Sequence, residues 1–194
     1  AGGLGDGYKR QNQAILGALP RLAKSLPKLQ FIHLTGNREL EPIRSAYDAL
    51  GLRALVRPFL TEMEFALGAA DLAVSRSGAS SLAEFSAKEL PAILVPYPSA
   101  VDDHQRLNAQ TFVELGAARC FHQKQLTSKL LLAQLRELFR KPTKLKAMSE
   151  AMKQWKAEQA TEEVVQRIYE ICQWENPVMD DLFIPVPKPR EAAA

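Results

Sequence analysis

Five times between Tyr8 and Phe121 a longer stretch whose apolar residues recur at helical spacing alternates with a short apolar run. The runs are Phe31 to Leu34, Ala54 to Arg57, Leu72 to Ser75, Ala92 to Val95 and Ala118 to Phe121. The helical stretches are Tyr8 to Ser25, Leu40 to Leu50, Glu62 to Ala69, Ala79 to Lys88 and His104 to Leu115. In the first of these, Ile15, Leu16, Leu19 and Leu22 fall on one face, and Leu26 continues it. Strands separated by whole helices cannot pair as hairpins and pair in parallel. The pattern therefore predicts an α/β domain with a doubly wound parallel sheet and helices on both faces.

After Phe121 the strand signal stops, and three helical patterns follow over Ser128 to Phe139, Thr143 to Glu158 and Thr161 to Trp174. Pro142 suits a helix start, and Thr161 followed by Glu162 and Glu163 suits a capped one. From Glu175 the chain carries four prolines and ends in three alanines, which reads as an extended or disordered tail over 175–194 behind a domain at 1–174.

Composition removes several classes of function. With 194 residues, 46% apolar and 24% charged, the chain can bury a core and is not a disordered segment. Its 25 Lys and Arg against 22 Asp and Glu leave only +3, scattered along the chain, so nucleic acid is not an expected partner. No run nears the ~20 apolar residues of a membrane span, and the first residues lack the pattern of a signal peptide, so a cytoplasmic location is expected. Cys120 and Cys172 have no second cysteine or histidine at ligand spacing, and neither a disulfide framework nor a metal site is expected.

Three constellations carry chemistry. In Asp71 to Glu84 a strand runs through Arg76, Ser77, Gly78 and Ala79 into a helix whose first turn holds Ser80, Ser81 and no acid. Free N–H groups, hydroxyls and the helix dipole suit a diphosphate there, with Arg76 nearby. Glu84, one turn further along the same face, has the two acceptor oxygens that a ribose's vicinal hydroxyls need. The competing reading makes Ser77 a helix cap and Glu84 a solvated residue. In Pro96 to Asn108, Asp103 stands where a cap would be, and Gln105 and Asn108 share one side of the first helical turn. Amides donate and accept, which suits the hydroxyl and acetamido groups of a neutral sugar; His104 just ahead of them is a hydrogen bonder or a base. In Arg57 to Met63, Phe59 and Leu60 lie in a strand-to-helix loop able to flank a flat ring, although such residues also belong in cores.

The cluster Gly2-Gly3-Leu4-Gly5-Asp6-Gly7 precedes the first helix and offers backbone N–H groups to a phosphate. A glycine turn of this kind follows a strand, and none stands before it, which leads us to expect a piece of a longer polypeptide.

Taken together, Ala69-Ala70-Asp71-Leu72, Arg76-Ser77-Gly78-Ala79, Ala83-Glu84, Leu90 to Pro96, Asp103-His104-Gln105, Asn108-Ala109 and Leu115 to Ala118 resemble the carboxyl-terminal half of the N-acetylglucosaminyltransferases of peptidoglycan synthesis. The resemblance covers about residues 1 to 172 and implies one Rossmann-like lobe of the two-lobed GT-B architecture, the lobe that binds UDP-N-acetylglucosamine. It implies that Phe59, Leu60 and Met63 lie at the uracil and Glu84 at the ribose. Gly3, Ser77, Gly78, Ala79, Ser80 and Ser81 would face the diphosphate, and His104, Gln105 and Asn108 the sugar. The acceptor would be an undecaprenyl-linked muramyl-pentapeptide, held with the catalytic base by an amino-terminal lobe outside this sequence. The whole protein would then sit peripherally on the cytoplasmic face of the plasma membrane and need no metal or other cofactor for its donor. The family shows Gly-Gly-Ser-x-Gly-Ala at the glycine turn, where this chain has Gly3 for the serine and Asp6 for the alanine. A hydroxyl contact is lost there and an acid enters. Two further readings remain: another UDP-sugar transferase of the same architecture, and an α/β binding module without enzymatic activity.

Overall fold

A computed structural model describes residues 4–98, 103–155, 165, 168 and 170, without the side chains of 4–8. The chain divides into two compact units, 1–155 and 156–194. Elements of the first unit alternate as expected: α1 (Leu4–Ser25), β1 (Phe31–Leu34), a 3-10 turn (Asn37–Glu39), α2 (Leu40–Ala49), β2 (Ala54–Arg57), α3 (Met63–Ala69), β3 (Ala73–Ser75), α4 (Ala79–Ala87), β4 (Ala92–Leu94), α5 (His104–Glu114), β5 (Ala118–Cys120), α6 (Ser128–Arg140) and α7 (Pro142–Met152). All pairings among the described residues are parallel.

β3, β4 and β5 alternate between two apolar layers, as parallel strands buried on both faces must, whereas β1 and β2 leave Ile32 and Leu55 exposed on one face. Ile93 and Val95 of β4 and its end, with Val74 and Phe121, point into a layer built by Leu19 and Leu22 of α1, Ile43 and Tyr47 of α2, and Leu131, Leu135 and Leu138 of α6. Ala92 and Leu94, with Ala73 and Cys120, point to the opposite layer of Leu67, Leu82, Phe85 and Phe112 from α3, α4 and α5. Burial raises the Cys120 thiol pKa, against the opposing charge of Arg106, which suits an inert packing thiol.

The sheet is not continuous. β1 pairs only with β2, whereas β3, β4 and β5 form a separate three-stranded sheet in that order. Between the two runs a slot lined by β1 and β3.

Two expectations are corrected. The first helix does not begin near Tyr8 after a glycine turn: Leu4 to Gly7 already form the first turn of α1. Cooperative propagation carries the helix through Gly5 and Gly7 at a cost of about 1 kcal/mol each. Gly3 and its expected phosphate contact lie outside the described residues. The helix expected over Thr143 to Glu158 ends at Met152, with backbone N–H groups of Gln154 and Trp155 closing on Ala151 and Met152. Of the expected helix at Thr161 to Trp174, Val165, Ile168 and Glu170 are described and are helical; the proline tail lies outside the described residues.

Candidate functional site

Parallel strands bring all their carboxyl ends to one rim, where the following loops meet. After β1 the chain turns at Gly36, whose φ of 71° favours glycine. After β2 come Pro58 and Phe59, after β3 the Arg76-Ser77-Gly78 turn, and after β4 the segment that leads to α5. A groove of about 620 Å³ opens here, lined among others by Gly36, Phe59, Met63, Ser75, Ser81 and Glu84.

At α4 the cap position is Gly78, in extended conformation and without a side chain to bond the helix start. Leu82 N–H already reaches the Gly78 carbonyl, so the N–H groups of Ala79, Ser80 and Ser81 are the helix's unsatisfied donors. No acid sits in that first turn. Glu84 is exposed one turn on and lines the groove, and its carboxylate has neither hydrogen bond nor ion pair among the described residues. A helix start that offers N–H groups beside an available carboxylate can hold a phosphate and a vicinal diol together.

Ser77 does something other than cap or face outward. Its side chain is wholly buried, and its hydroxyl donates to the Gln105 carbonyl at 2.7 Å. Asn108 Nδ2 donates back to the Ser77 carbonyl at 3.2 Å, and Tyr97 N–H donates to Gln105 Oε1 at 2.9 Å. The three polar residues therefore interlock the β3–α4 turn with α5. Each amide still keeps one polar group without a partner among the described residues: Nε2 of Gln105 and Oδ1 of Asn108.

Arg76 is likewise structural. It is buried, donates from Nη1 to the Val95 carbonyl at 2.8 Å and the Pro96 carbonyl at 3.1 Å, bonds Gln123, and lies 5.4 Å from the Tyr97 ring centroid. It ties three rim loops together rather than standing ready for a phosphate. Asp103 occupies the α5 cap position with φ 55° but makes no side-chain cap; its carboxylate pairs with Arg106 instead. The left-handed backbone there turns the carboxylate from the helix N–H groups towards the guanidinium one turn on.

Of the expected site residues, then, Phe59, Met63, Ser81 and Glu84 share the groove, with Phe59 71% exposed on its lip. Gly78, Ala79 and Ser80 form the adjoining helix start, and Gln105 and Asn108 are half-buried on the neighbouring α5. Leu60 and His104 stand outside the groove lining, His104 exposed.

Sequence reasoning did not find the groove's other wall. There Tyr47 Oη lies 3.1 Å from His33 Nδ1, and His33 Nε2 lies 3.0 Å from Asn12 Oδ1. Asn12 Nδ2 in turn donates to the Thr35 carbonyl at 3.3 Å and to Glu39. Since an amide oxygen only accepts, His33 carries its proton on Nε2 and accepts from Tyr47. Burial lowers the His33 pKa to about 4, against a smaller upward pull from Glu39, and raises that of Tyr47. The Gln11-Asn12-Gln13 run in a helix is the available signal, but nothing in spacing shows which amides face a sheet.

A parallel, doubly wound sheet with an open helix start and an available carboxylate on its carboxyl rim defines an α/β ligand-binding lobe. The family model described as "Glycosyltransferase family 28 C-terminal domain" matches residues 1–165, and the chain belongs to that family. It is similar to two proteins named UDP-N-acetylglucosamine–N-acetylmuramyl-(pentapeptide) pyrophosphoryl-undecaprenol N-acetylglucosamine transferase. The one from Anaeromyxobacter sp. (strain Fw109-5) is 36% identical over 174 residues, covering 89% of this chain and 46% of the relative. The one from Myxococcus xanthus (strain DK1622) is 40% identical over 142 residues, covering 73% and 37%. Among solved structures, MurG of Acinetobacter baumannii aligns with a TM-score of 0.70 at 30% identity, over 83% of this chain and 47% of that one. The chain thus spans about half the length of these relatives, or less.

Proposed function

We propose that this chain is the donor-binding lobe of an inverting glycosyltransferase that moves N-acetylglucosamine from UDP-N-acetylglucosamine to an undecaprenyl-linked muramyl-pentapeptide, the step that converts lipid I to lipid II. The observation that carries the reading is the open start of α4 beside the unpartnered Glu84, on the rim of a sheet whose relatives carry names for that reaction. Phe59 and Met63, with Leu60 behind them, flank the uracil. Glu84 accepts from the ribose hydroxyls. The N–H groups at Ala79, Ser80 and Ser81 take the diphosphate, and Gln105 Nε2 and Asn108 Oδ1, with His104 beside them, read the acetamido sugar. The acceptor's 4-hydroxyl oxygen attacks the anomeric carbon, the bond to the diphosphate breaks, and the hydroxyl proton passes to a base on the other half of the protein. Negative charge then grows on the departing UDP, where pre-aligned N–H donors stabilise it without a metal.

The lipid acceptor puts the whole protein on the cytoplasmic face of a membrane, attached peripherally; among the described residues no helix is long and apolar enough to cross one. Calorimetric titration with UDP-N-acetylglucosamine, UDP-glucose and UMP tests the reading. We expect preference for the acetamido sugar and, in a folded Glu84→Ala variant, at least a tenfold loss, equivalent to more than ~1 kcal/mol. Equal affinity for the two sugars favours another UDP-sugar transferase. Binding of none by the folded chain overturns the donor assignment.

A further inference from the structure

Cations that are scattered along the sequence are gathered by the fold onto one face. Two long stretches carry almost no acid. Between Gly7 and Arg38 stand Lys9, Arg10, Arg21, Lys24 and Lys28 with no Asp or Glu, and from Leu115 to Ser149 Glu137 is the only one. The first stretch builds α1 and the second builds α6, and the two helices pack side by side, so closely that a Cβ on Gly17 would overlap Ser128 Oγ. They run the same way, since Phe139 near the end of α6 lines one cavity with Ser25 at the end of α1.

Helical spacing then decides where the cations point. On α1, Arg21 and Lys24 continue the stripe of Gly17, which borders α6, and Lys28 follows in the turn to β1. On α6, Lys129, Arg136 and Arg140 share the face opposite Leu131, Leu135 and Leu138, and Arg136 lies on the stripe of Ser128, beside α1. Arg136 is half-buried and the other five are exposed, and none of the six side chains has a hydrogen bond or ion pair among the described residues. Glu137 turns instead to Arg119 on β5 and to Lys144, which already bond it. Helix energetics do not account for the set. Lys24 and Arg140 suit the carboxyl ends of their helices, but Lys129 stands in the first turn of α6, where a cation opposes the dipole. Arg136 and Arg140 are like charges at i and i+4, an arrangement that destabilises a helix. An anionic partner relieves both.

The face also limits which anion it suits. None of the exposed large apolar side chains among the described residues lies on it. Protein partners anchor on aromatic hot spots, and single-stranded nucleic acid stacks its bases on aromatic rings; this face offers neither. A charged bilayer needs only a broad field of cations, and Lys129 to Arg140 alone spans ~16 Å along α6. We infer that the outer face of α1 and α6 docks this lobe on an acidic phospholipid surface, by charge and without an inserted side chain. The choice of lipid rests on the proposed function, whose undecaprenyl-linked acceptor puts the reaction at a membrane. None of the six cations lines the groove at the site, so docking leaves the groove uncovered.

Co-sedimentation of the 194-residue chain with vesicles, in the absence of nucleotide, tests the inference. We expect vesicles of phosphatidylcholine with about 30% phosphatidylglycerol to bind at least tenfold more tightly than phosphatidylcholine alone, and the difference to vanish as salt rises from about 0.1 to about 0.5 M. Lys24→Glu, Arg136→Glu and Arg140→Glu together should weaken that binding at least tenfold. Arg38→Glu, Arg53→Glu and Lys88→Glu together make the same change in net charge at exposed positions on other elements and should leave it within about threefold of wild type. Circular dichroism checks that each variant is folded; should the first not fold, glutamine at the same three positions replaces it. Equal affinity for the two kinds of vesicle, equal loss in the two variants, or tighter binding to a DNA duplex than to the acidic vesicles overturns the inference. A chain that binds acidic vesicles as expected but no UDP-sugar in calorimetry keeps this surface and loses the donor assignment. One that binds UDP-N-acetylglucosamine but not the vesicles keeps the donor assignment and loses this surface.

Discussion

His33 makes folding stability fall through a defined pH window. Its imidazole is neutral in the folded state, held between the Tyr47 hydroxyl and the Asn12 amide oxygen, and burial lowers its pKa from 6.5 to about 4. The unfolded chain therefore binds a proton between those values that the folded chain refuses, so stability declines as pH drops below about 6.5 and levels off below about 4. At 1.36 kcal/mol per pH unit the full loss is about 3 kcal/mol, of which about 2 kcal/mol is gone at pH 5. That is a large share of the ~5 to 15 kcal/mol that holds a domain together. Urea unfolding followed by circular dichroism at pH 7.5, 6.5, 5.5 and 5 measures the slope. His33→Gln is the control, because glutamine offers one donor and one acceptor to the same neighbours and does not titrate. The variant should lose about 2 kcal/mol less than the wild type between pH 7.5 and 5. Parallel decline of the two proteins would refute the reasoning.

The remaining predictions concern packing and charge. Ser77→Ala removes the buried donor to the Gln105 carbonyl and should cost about 1 to 3 kcal/mol in chemical denaturation, with strong coupling to Asn108→Ala in a double-mutant cycle. Additive losses would show that the interlock is not one unit. At Gly17 a Cβ would overlap Ser128 Oγ, so Gly17→Ala should destabilise by about 1 to 3 kcal/mol where α1 crosses α6, and Ser128→Gly should restore most of it. Hydrogen bonds from Arg119 and then Lys144 hold the Glu137 carboxyl down at about 2, from 4.5. Its contribution is present above pH 4.5 and disappears as pH falls towards 2, a window below most of that of His33. Glu137→Gln should flatten the acid limb of the stability curve there, and the difference from wild type should shrink in high salt.

The order of elements was readable because each depends on local period. The strand at Ala92 reads as a continuous apolar run because both its faces are buried, and the α6 stretch repeats Leu131, Leu135 and Leu138 at helical spacing. The division of the sheet was not readable. Which strands are neighbours is decided by crossovers, and a sequence in which β1 and β3 are separated by α2, β2 and α3 looks the same whether or not a strand lies between them. The glycine cluster shows the complementary failure. Gly-x-Gly marks a turn only when flanking structure opposes the helix, and here Leu4 to Gly7 join α1.

At the site, residue type was a better guide than side-chain direction. The Ser77-to-Ser81 turn and Glu84 are where small residues without acids predicted a helix start, since that depends on local chemistry alone. Ser77 itself faces inward because Gln105 and Asn108 come to it from α5, 28 and 31 residues away, a distance no spacing rule spans. In the proposed function, the contacts around these amides set their chemical selectivity. Tyr97 N–H occupies Gln105 Oε1, and the Ser77 carbonyl occupies Asn108 Nδ2. The groups left over are therefore a fixed donor on one residue and a fixed acceptor on the other, held in orientations that neither amide can exchange by flipping. A free pair of amides accepts almost any hydroxyl, whereas one donor and one acceptor clamped on the same helical turn match a ligand that presents the complementary pair, as an acetamido group does with its carbonyl and N–H.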